Sequence, residues 1–301
     1  MDIDLDNIAR AAETIDPVFR GTPQYVDEQL CEALGRRVLV KVETVNPLRS
    51  FKGRGADFLG ATLPPGRTVV CASAGNFGQA VAYVGRRRGF GVEVFVSSAA
   101  VPDKVRRMRS LGASVVEVPG DFTGAKAVAR AHAERVGAVF VEDGRDVAVT
   151  EGAGSIAVEL LGAGHAFDTA VIPVGDGALI TGMARWIKEH SPGTRIVGVC
   201  AEGAPAVARA WAGRPAGDTP IDTIADGIAV RVPVPAAIPR LRALVDDMLL
   251  VPDDAIRDAM ALARGALGLV LEPAGAIGLA AIAVADVPGE SIATVLTGGN
   301  V

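Results

Sequence analysis

Four short stretches of this 301-residue chain carry residue types that could do chemistry together. The first runs Asn46-Pro47-Leu48-Arg49-Ser50-Phe51-Lys52-Gly53-Arg54-Gly55. Lysine is scarce, with five residues against twenty-five arginines, so arginine is the ordinary solvent-facing base of this chain. A lysine between Phe51 and Gly53 is either a plain helix-start residue or an amine that desolvation can neutralise. A neutral amine attacks a carbonyl, which a guanidinium does not. The second stretch is Cys71-Ala72-Ser73-Ala74-Gly75-Asn76-Phe77-Gly78-Gln79, at the end of an apolar run and the start of a helical pattern. Small residues there let backbone N–H groups face outward. The Ser73 hydroxyl and the Asn76 and Gln79 amides add donors beside a positive helix end, which suits a carboxylate or phosphate. A polar N-cap with glycine turn chemistry accounts for the same letters.

The third stretch, Pro173-Val174-Gly175-Asp176-Gly177-Ala178-Leu179-Ile180, is again an apolar run, a glycine turn and a helical pattern. Its backbone amides suit a phosphate. It is neither a Walker A loop, lacking Gly-Lys-Ser/Thr, nor a G-x-G-x-x-G dinucleotide fingerprint. Asp176 is awkward in it, because a carboxylate repels a phosphate dianion unless it points away or is neutralised. The fourth is Leu296-Thr297-Gly298-Gly299-Asn300, a hydroxyl at the end of an apolar run, or simply a terminal turn. Taken together, an amine, two anion-binding turns and a terminal hydroxyl are the parts that amino-acid chemistry with pyridoxal phosphate requires.

The elements that position these stretches form an alternating pattern. Strands are expected at Val38 to Val42, Thr68 to Cys71, Val92 to Val96, Ser114 to Val118, Thr169 to Val174, Arg195 to Val199 and Thr294 to Leu296. Helical spacing covers Gly78 to Arg88, Pro102 to Leu111, Thr123 to Val136, Ala178 to His190 and Asp253 to Leu267. Such alternation predicts βαβ units and a mostly parallel sheet. In open α/β sheets ligands bind beyond the carboxyl ends of strands, where the four stretches fall. The apolar segment Gly265 to Val287, broken by Glu272 and Pro273, reads as strand, loop and helix. A weak punctuation at Val141 to Asp146 marks a passage between parts of the chain.

Half of the residues are hydrophobic, enough for one large α/β domain or two smaller ones. The net charge of −5 argues against a nucleic-acid partner, and Arg86-Arg87-Arg88 and Lys104 to Arg109 read as solvated helix faces. Cys31, Cys71 and Cys200 show no disulfide or zinc spacing, which fits a reducing cytoplasm. The N-terminus is acidic where a signal peptide is basic. No apolar run approaches the roughly 20 residues of a membrane span.

In order along the chain, Gly21-Thr22-Pro23, Val40-Lys41-Val42-Glu43, Ser50-Phe51-Lys52, Ser73-Ala74-Gly75-Asn76, Thr223 to Val230, Glu272-Pro273-Ala274-Gly275-Ala276 and Thr297-Gly298-Gly299-Asn300 resemble the fold-type II pyridoxal-phosphate enzymes, the tryptophan-synthase β-like family. Within it they are most similar to the threonine/serine dehydratases, or ammonia-lyases. The resemblance implies two domains, each an open, mostly parallel twisted sheet flanked by helices. Residues 1–55 and 146–301 would form the large cofactor domain, and 56–145 a small substrate-carboxylate domain that closes over the substrate. A homodimer is implied as well. Lys52 would carry the cofactor as a Schiff base and then act as the Cα base, with Phe51 beside it. Asn76 would bond the ring hydroxyl, the amides of Gly175, Asp176, Gly177, Ala178 and Leu179 the phosphate, and Thr297 the pyridine nitrogen. Ser73, Ala74, Gly75, Asn76 and Gln79 would line the site for the substrate carboxylate. A neutral hydroxyl at the pyridine nitrogen makes a weaker electron sink than a carboxylate, which favours elimination. The product would be a 2-keto acid and ammonia.

Several residues depart from the family pattern. Phe77 replaces a usual histidine, and Asp176 and Ala178 replace glycines of a Gly-Gly-Gly-Gly-Leu loop. Ala74 stands where serine racemases of the family carry their second acid/base, and a methyl moves no proton, so racemisation is disfavoured. Glu202 matches a carboxylate that binds a divalent ion in some relatives, but Ala208 stands where a second ligand is expected, so no metal is assigned. The chain stops past Asn300, without room for a C-terminal regulatory domain. β- or γ-Replacement, as in cysteine-synthase-like or threonine-synthase-like relatives, is the alternative chemistry. A non-catalytic cofactor-binding protein and a dinucleotide-dependent oxidoreductase are the alternatives of other classes.

Overall fold

The computed structural model describes residues 1–64, 66–217 and 220–301. Its strands are β1 (Gln24–Val26), β2 (Arg37–Val42), β3 (Thr68–Ala72), β4 (Gly91–Ser97), β5 (Ser114–Val118), β6 (Val139–Val141), β7 (Thr169–Pro173), β8 (Arg195–Ala201), β9 (Asp247–Val251) and β10 (Ser291–Leu296). The helices are α1 (Leu5–Thr14), α2 (Glu28–Leu34), α3 (Lys52–Thr62), α4 (Asn76–Arg88), α5 (Pro102–Ser110), α6 (Phe122–Val136), α7 (Val147–Gly162), α8 (Ala178–His190), α9 (Ala206–Trp211), α10 (Ala237–Leu244), α11 (Asp253–Leu267) and α12 (Pro273–Val284). None of the described helices is long and apolar enough to cross a membrane.

Two sheets result. One has six strands in the order β1-β2-β10-β7-β8-β9, the other four in the order β5-β4-β3-β6. All neighbours are parallel except β1, which pairs antiparallel with β2. Central strands such as β7 and β8 are buried on both faces, which explains their apolar runs. One face of the larger sheet is covered by α12, whose sequence Pro-Ala-Gly-Ala-Ile-Gly-Leu-Ala-Ala-Ile-Ala-Val is apolar all round because α11 covers it in turn. The other face packs on α7 and α8. The smaller sheet lies between α6 on one side and α3, α4 and α5 on the other.

The expected strands and helices are all present, with ends shifted by a few residues. Three strands escaped the pattern: β1 and β6 have three residues each, too few for a period-two signal, and β9 is an edge strand that opens on Asp247. Gly265 to Val287 is not strand, loop and helix. It is the end of α11, an extended link through Leu269-Val270-Leu271, and α12. The Leu/Val run there pairs with no strand, since its carboxyl neighbour Glu272 must turn back into α12. The basic clusters lie on exposed helix faces as expected, with Arg88 also pairing with Asp57 at 2.7 Å and the half-buried Lys104 reaching across to Asp226.

Candidate active site

Because the strands run parallel, the loops after β2 and β10 leave one edge of the larger sheet side by side. Ser50 bridges Gly298, and the Phe51 amide donates to Thr297 O at 3.1 Å. This ties the terminal hydroxyl stretch to the first turn of α3, where Lys52 sits. The loop leading there is organised by Asn46, which donates to Glu43 O (2.9 Å) and Ser50 O (3.1 Å) and accepts from the Leu48 amide (2.9 Å). Two residues beyond Lys52, Arg54 is buried and held by Glu43 on β2's end and Glu159 on α7, at 2.8 to 2.9 Å. The helix start is therefore clamped to both its neighbours.

Lys52 itself is 16% exposed. Its Nζ pairs with Asp143 in the loop between β6 and α7 and lies 4.4 Å from the centre of the Phe51 ring. The residue after Asp143 is Gly144, with φ +72, and a Cβ there would meet Asp176 O at 2.2 Å. The loop after β6 is thus pressed onto the third stretch. There Gly177, with φ +96, opens α8 and no side chain caps it, so the amides of the first turn face outward. Leu179 and Ala178 are buried and anchor the turn to two different cores.

The second stretch joins the ring from the other side. Asn76 at the start of α4 donates to Glu272 Oε1 at 2.7 Å and accepts from Asn300 Nδ2 at 2.8 Å. This orients its amide and leaves one N–H for a ligand. Glu272, at the start of α12, is buried. Desolvation pushes its carboxyl up to about 7, against the lowering effect of the Asn76 bond. Thr297 Oγ1 donates to Ala274 O at 3.2 Å, leaving its lone pairs free. Ser73 Oγ accepts from the Gly75 amide at 3.3 Å, and the Ser73 amide donates to Phe95 O at 3.2 Å, so two of the expected donors are engaged within the protein. Ala74 presents a methyl. Gln79 is 1% exposed, yet neither atom of its amide has a partner.

An orphaned buried amide is costly, about 1–3 kcal/mol, and marks a place where a polar ligand completes the bonding. With uncapped first turns at α3, α4 and α8, the donor set fits a ligand carrying a carboxylate or phosphate, and Lys52 fits one carrying a carbonyl. Such a set suits pyridoxal phosphate with an amino acid, with one discordant group, Asp176. Burial first, then the charge of Asp143, pushes Asp176 up to about 7.

The family of pyridoxal-phosphate dependent enzymes matches residues 15–298. The chain belongs to that family. Among its relatives, the L-threonine ammonia-lyase of Thermotoga maritima is 34% identical over 99% of this chain and 76% of its own length. The processed form of threonine deaminase isoform 2 from Solanum lycopersicum superposes with a TM-score of 0.90 at 29% identity, covering 99% of this chain and 91% of that one. Maize serine racemase gives 0.93, also at 29% identity, over 100% and 94% of the two chains. The fold-type II resemblance and its threonine/serine dehydratase branch are borne out.

Reasoning from motifs missed Asp143 as the partner of Lys52, and it left Glu272 and Asn300 without roles. Asp143 lay in the punctuation after Val141, at the carboxyl end of a strand too short to be recognised. Glu202 is exposed at the end of β8, and no group of three His, Cys, Asp or Glu that could hold a metal occurs among the described residues. The boundary expected at residues 55 and 56 falls within α3.

Proposed function

We propose that this chain is an ammonia-lyase that removes the β-hydroxyl and the amine of a threonine- or serine-type amino acid, releasing a 2-keto acid and ammonia. One observation carries the reading: the Lys52 amine stands in a ring of strand-end loops with open donors for two anionic groups, and residue 74, in the turn expected to take the substrate carboxylate, is an alanine. The threonine ammonia-lyase relative supports the same chemistry.

When bound, pyridoxal phosphate supplies the electron sink that acidifies the Cα–H of an amino acid. Lys52 would hold it covalently, the first-turn amides of α8 its phosphate, the free N–H of Asn76 its ring oxygen, and Thr297 its ring nitrogen. The Gln79 amide and the turn at 73–76 would take the substrate carboxylate. Once free, Lys52 Nζ accepts the Cα proton, and Asp143 holds that nitrogen in position. The Cα–H and Cβ–O bonds break and water leaves. The resulting enamine takes water back, giving ketone and ammonia. The Ala74 methyl returns no proton to the opposite face, so the configuration at Cα is not scrambled.

The holoenzyme incubated with threonine, serine, O-acetylserine and O-phosphohomoserine is expected to form keto acid from threonine or serine, with no D-isomer on a chiral column. Lys52→Ala should form none and should lose the borohydride-fixed cofactor from its peptide. Absence of keto acid from every hydroxyamino acid sinks the elimination reading.

A homodimer in the cytoplasm belongs to the same proposal, and light scattering on the eluting protein tests the first part. So does closure of residues 56–145 over the substrate. Lys104 with Asp226, and Arg107 donating to Pro47 O at 3.0 Å, are the contacts such a motion would rearrange. Crystals with and without an amino acid that superpose without relative movement count against closure.

A further inference from the structure

The turn that offers its amides to a phosphate carries an acid of its own, and a second acid is pressed against it. Asp176 stands between Gly175 and Gly177 at the start of α8. Asp143 approaches from the loop after β6, and the close fit of Gly144, whose Cβ would lie 2.9 Å from Asp176 Cβ, fixes the two loops together. Lys52 from α3 pairs with Asp143. The other charged groups around the pair are engaged elsewhere. Glu142 is held by Lys126 and by Arg130 at 2.6 Å, and Arg240 on α10 donates to Gly144 O at 3.1 Å while pairing with Asp2 at 2.5 Å. Arg145 lies 3.7 Å from Glu142. Asp146 accepts from the Glu142 amide at 2.5 Å, Asp226 pairs with Lys104, and Glu272 is bonded to Asn76. The amine of Lys52 is thus already paired with one acid while a second stands on the abutting turn, and a phosphate dianion would add two further negative charges.

We propose that Asp176 takes up a proton when the cofactor's phosphate is seated beside it, so that phosphate capture and proton uptake are one event. A half-buried acid beside a second carboxylate and an incoming dianion is driven to its neutral form. The position of the Asp176 carboxyl, already well above its ordinary value, points the same way, and an incoming dianion displaces it further upward. The sign of the consequence is unusual. A phosphate monoester loses its second proton with a pKa of about 6, so well above neutrality its charge is nearly constant while Asp176 loses its proton. Affinity for the phosphate then falls as pH rises, approaching about tenfold per pH unit. A turn of glycines alone has no such dependence above neutrality.

The inference rests on the reading of this ring as a pyridoxal-phosphate site. Its test uses pyridoxine 5′-phosphate, an alcohol that keeps Lys52 out of the bonding, titrated calorimetrically at pH 7.5 and 8.5 in buffers of different ionisation enthalpy. The native protein is expected to lose about five- to tenfold in affinity across that unit and to take up close to one proton. Asp176→Asn and Asp176→Gly are expected to bind more tightly at pH 8.5, with a change under about twofold and little proton uptake. A flat native profile, or variants that keep the native slope, overturns the proposal. Native protein that attaches pyridoxal phosphate at Lys52 with a flat profile overturns it while leaving the cofactor reading intact. Failure of native protein and both variants to bind either compound at any pH overturns both.

Discussion

Arg54→Met tests whether the buried ion cluster beneath α3 is what seats Lys52. Arg54 is 0% exposed and uses all three nitrogens: Nε and Nη2 on Glu43 at 2.8 and 2.9 Å, Nη1 and Nη2 on Glu159 at 2.8 and 2.9 Å, and further bonds to Ser155 and Thr22 at 3.1 Å. Lys41, also buried, pairs with Glu159 at 2.6 Å. Two acids face two bases, so the cluster is neutral. Methionine keeps much of the volume but leaves two carboxylates to one lysine. Breaking a buried pair in this way costs about 3–5 kcal/mol, out of a total stability of about 5–15 kcal/mol. Adding Glu43→Gln restores neutrality and should return most of the loss, whereas a loss due to packing would deepen. Acid provides a further check. Burial alone would raise the Glu159 carboxyl, but Arg54 and then Lys41 outweigh it and hold it at about 2. That depressed value contributes stability above the ordinary carboxylate range, which is lost progressively as pH falls from that range through about 2. Without Arg54 the contribution disappears, so the deficit of the variant should be the same at pH 7 and pH 5 and narrow only as pH falls below the ordinary carboxylate value. Urea unfolding followed by circular dichroism measures the stabilities, and cofactor absorbance after gel filtration reports whether Lys52 is still seated. A deficit under about 1 kcal/mol, or a double variant less stable than the single one, refutes the reasoning.

Gly144→Ala places a methyl 2.2 Å from Asp176 O at a φ of +72. The backbone strain alone costs about 1–3 kcal/mol, and cofactor retention should fall with thermal stability. An unchanged melting temperature and full retention would count against the packing of these two loops. Glu272→Gln addresses the raised carboxyl at α12. Because burial lifts Glu272 to about 7 in the folded protein, the native state loses stability as pH rises from the ordinary carboxylate value through 7. The slope is at most about 1.4 kcal/mol per pH unit. The variant lacks this group, so urea unfolding curves at pH 5 and pH 8 should bring the two proteins apart in favour of the variant at high pH. Parallel profiles would contradict the assignment.

Much of the larger architecture was legible because its signals are local. α8 and α11 were placed to the residue, since each combines helical apolar spacing with a sharp start, Gly177 in one case and Pro252 in the other. The central strands are legible because burial on both faces makes them largely apolar. β6 and β1 are too short to display a period, and the apolar Leu269-Val270-Leu271 link before α12 reads like a strand although it pairs with none. Lys41, within the strand expected at Val38 to Val42, is buried against Glu159, a partner 118 residues away that no local pattern reveals.

The site divides along the same line, and the reason lies in the parallel sheets. Lys52, the Ser73 turn, the Gly175 turn and Thr297 were recognisable as residues just past the carboxyl ends of expected strands, and β2, β3, β7 and β10 indeed deliver them there. β6 delivers a fifth loop by the same rule, but a three-residue strand gave no reason to look there. Its Asp143 meets Lys52 across 91 residues, as Glu272 meets Asn76 across 196. No spacing rule spans such distances, whereas the topology does. A strand that enters a parallel sheet must release its chain at the same edge as its neighbours, so each undetected strand hides one potential contributor to the site. The acid in the third stretch stood out as an anomaly for a phosphate. Only the position of the fifth loop shows that a second acid, Asp143, stands on the turn packed against it.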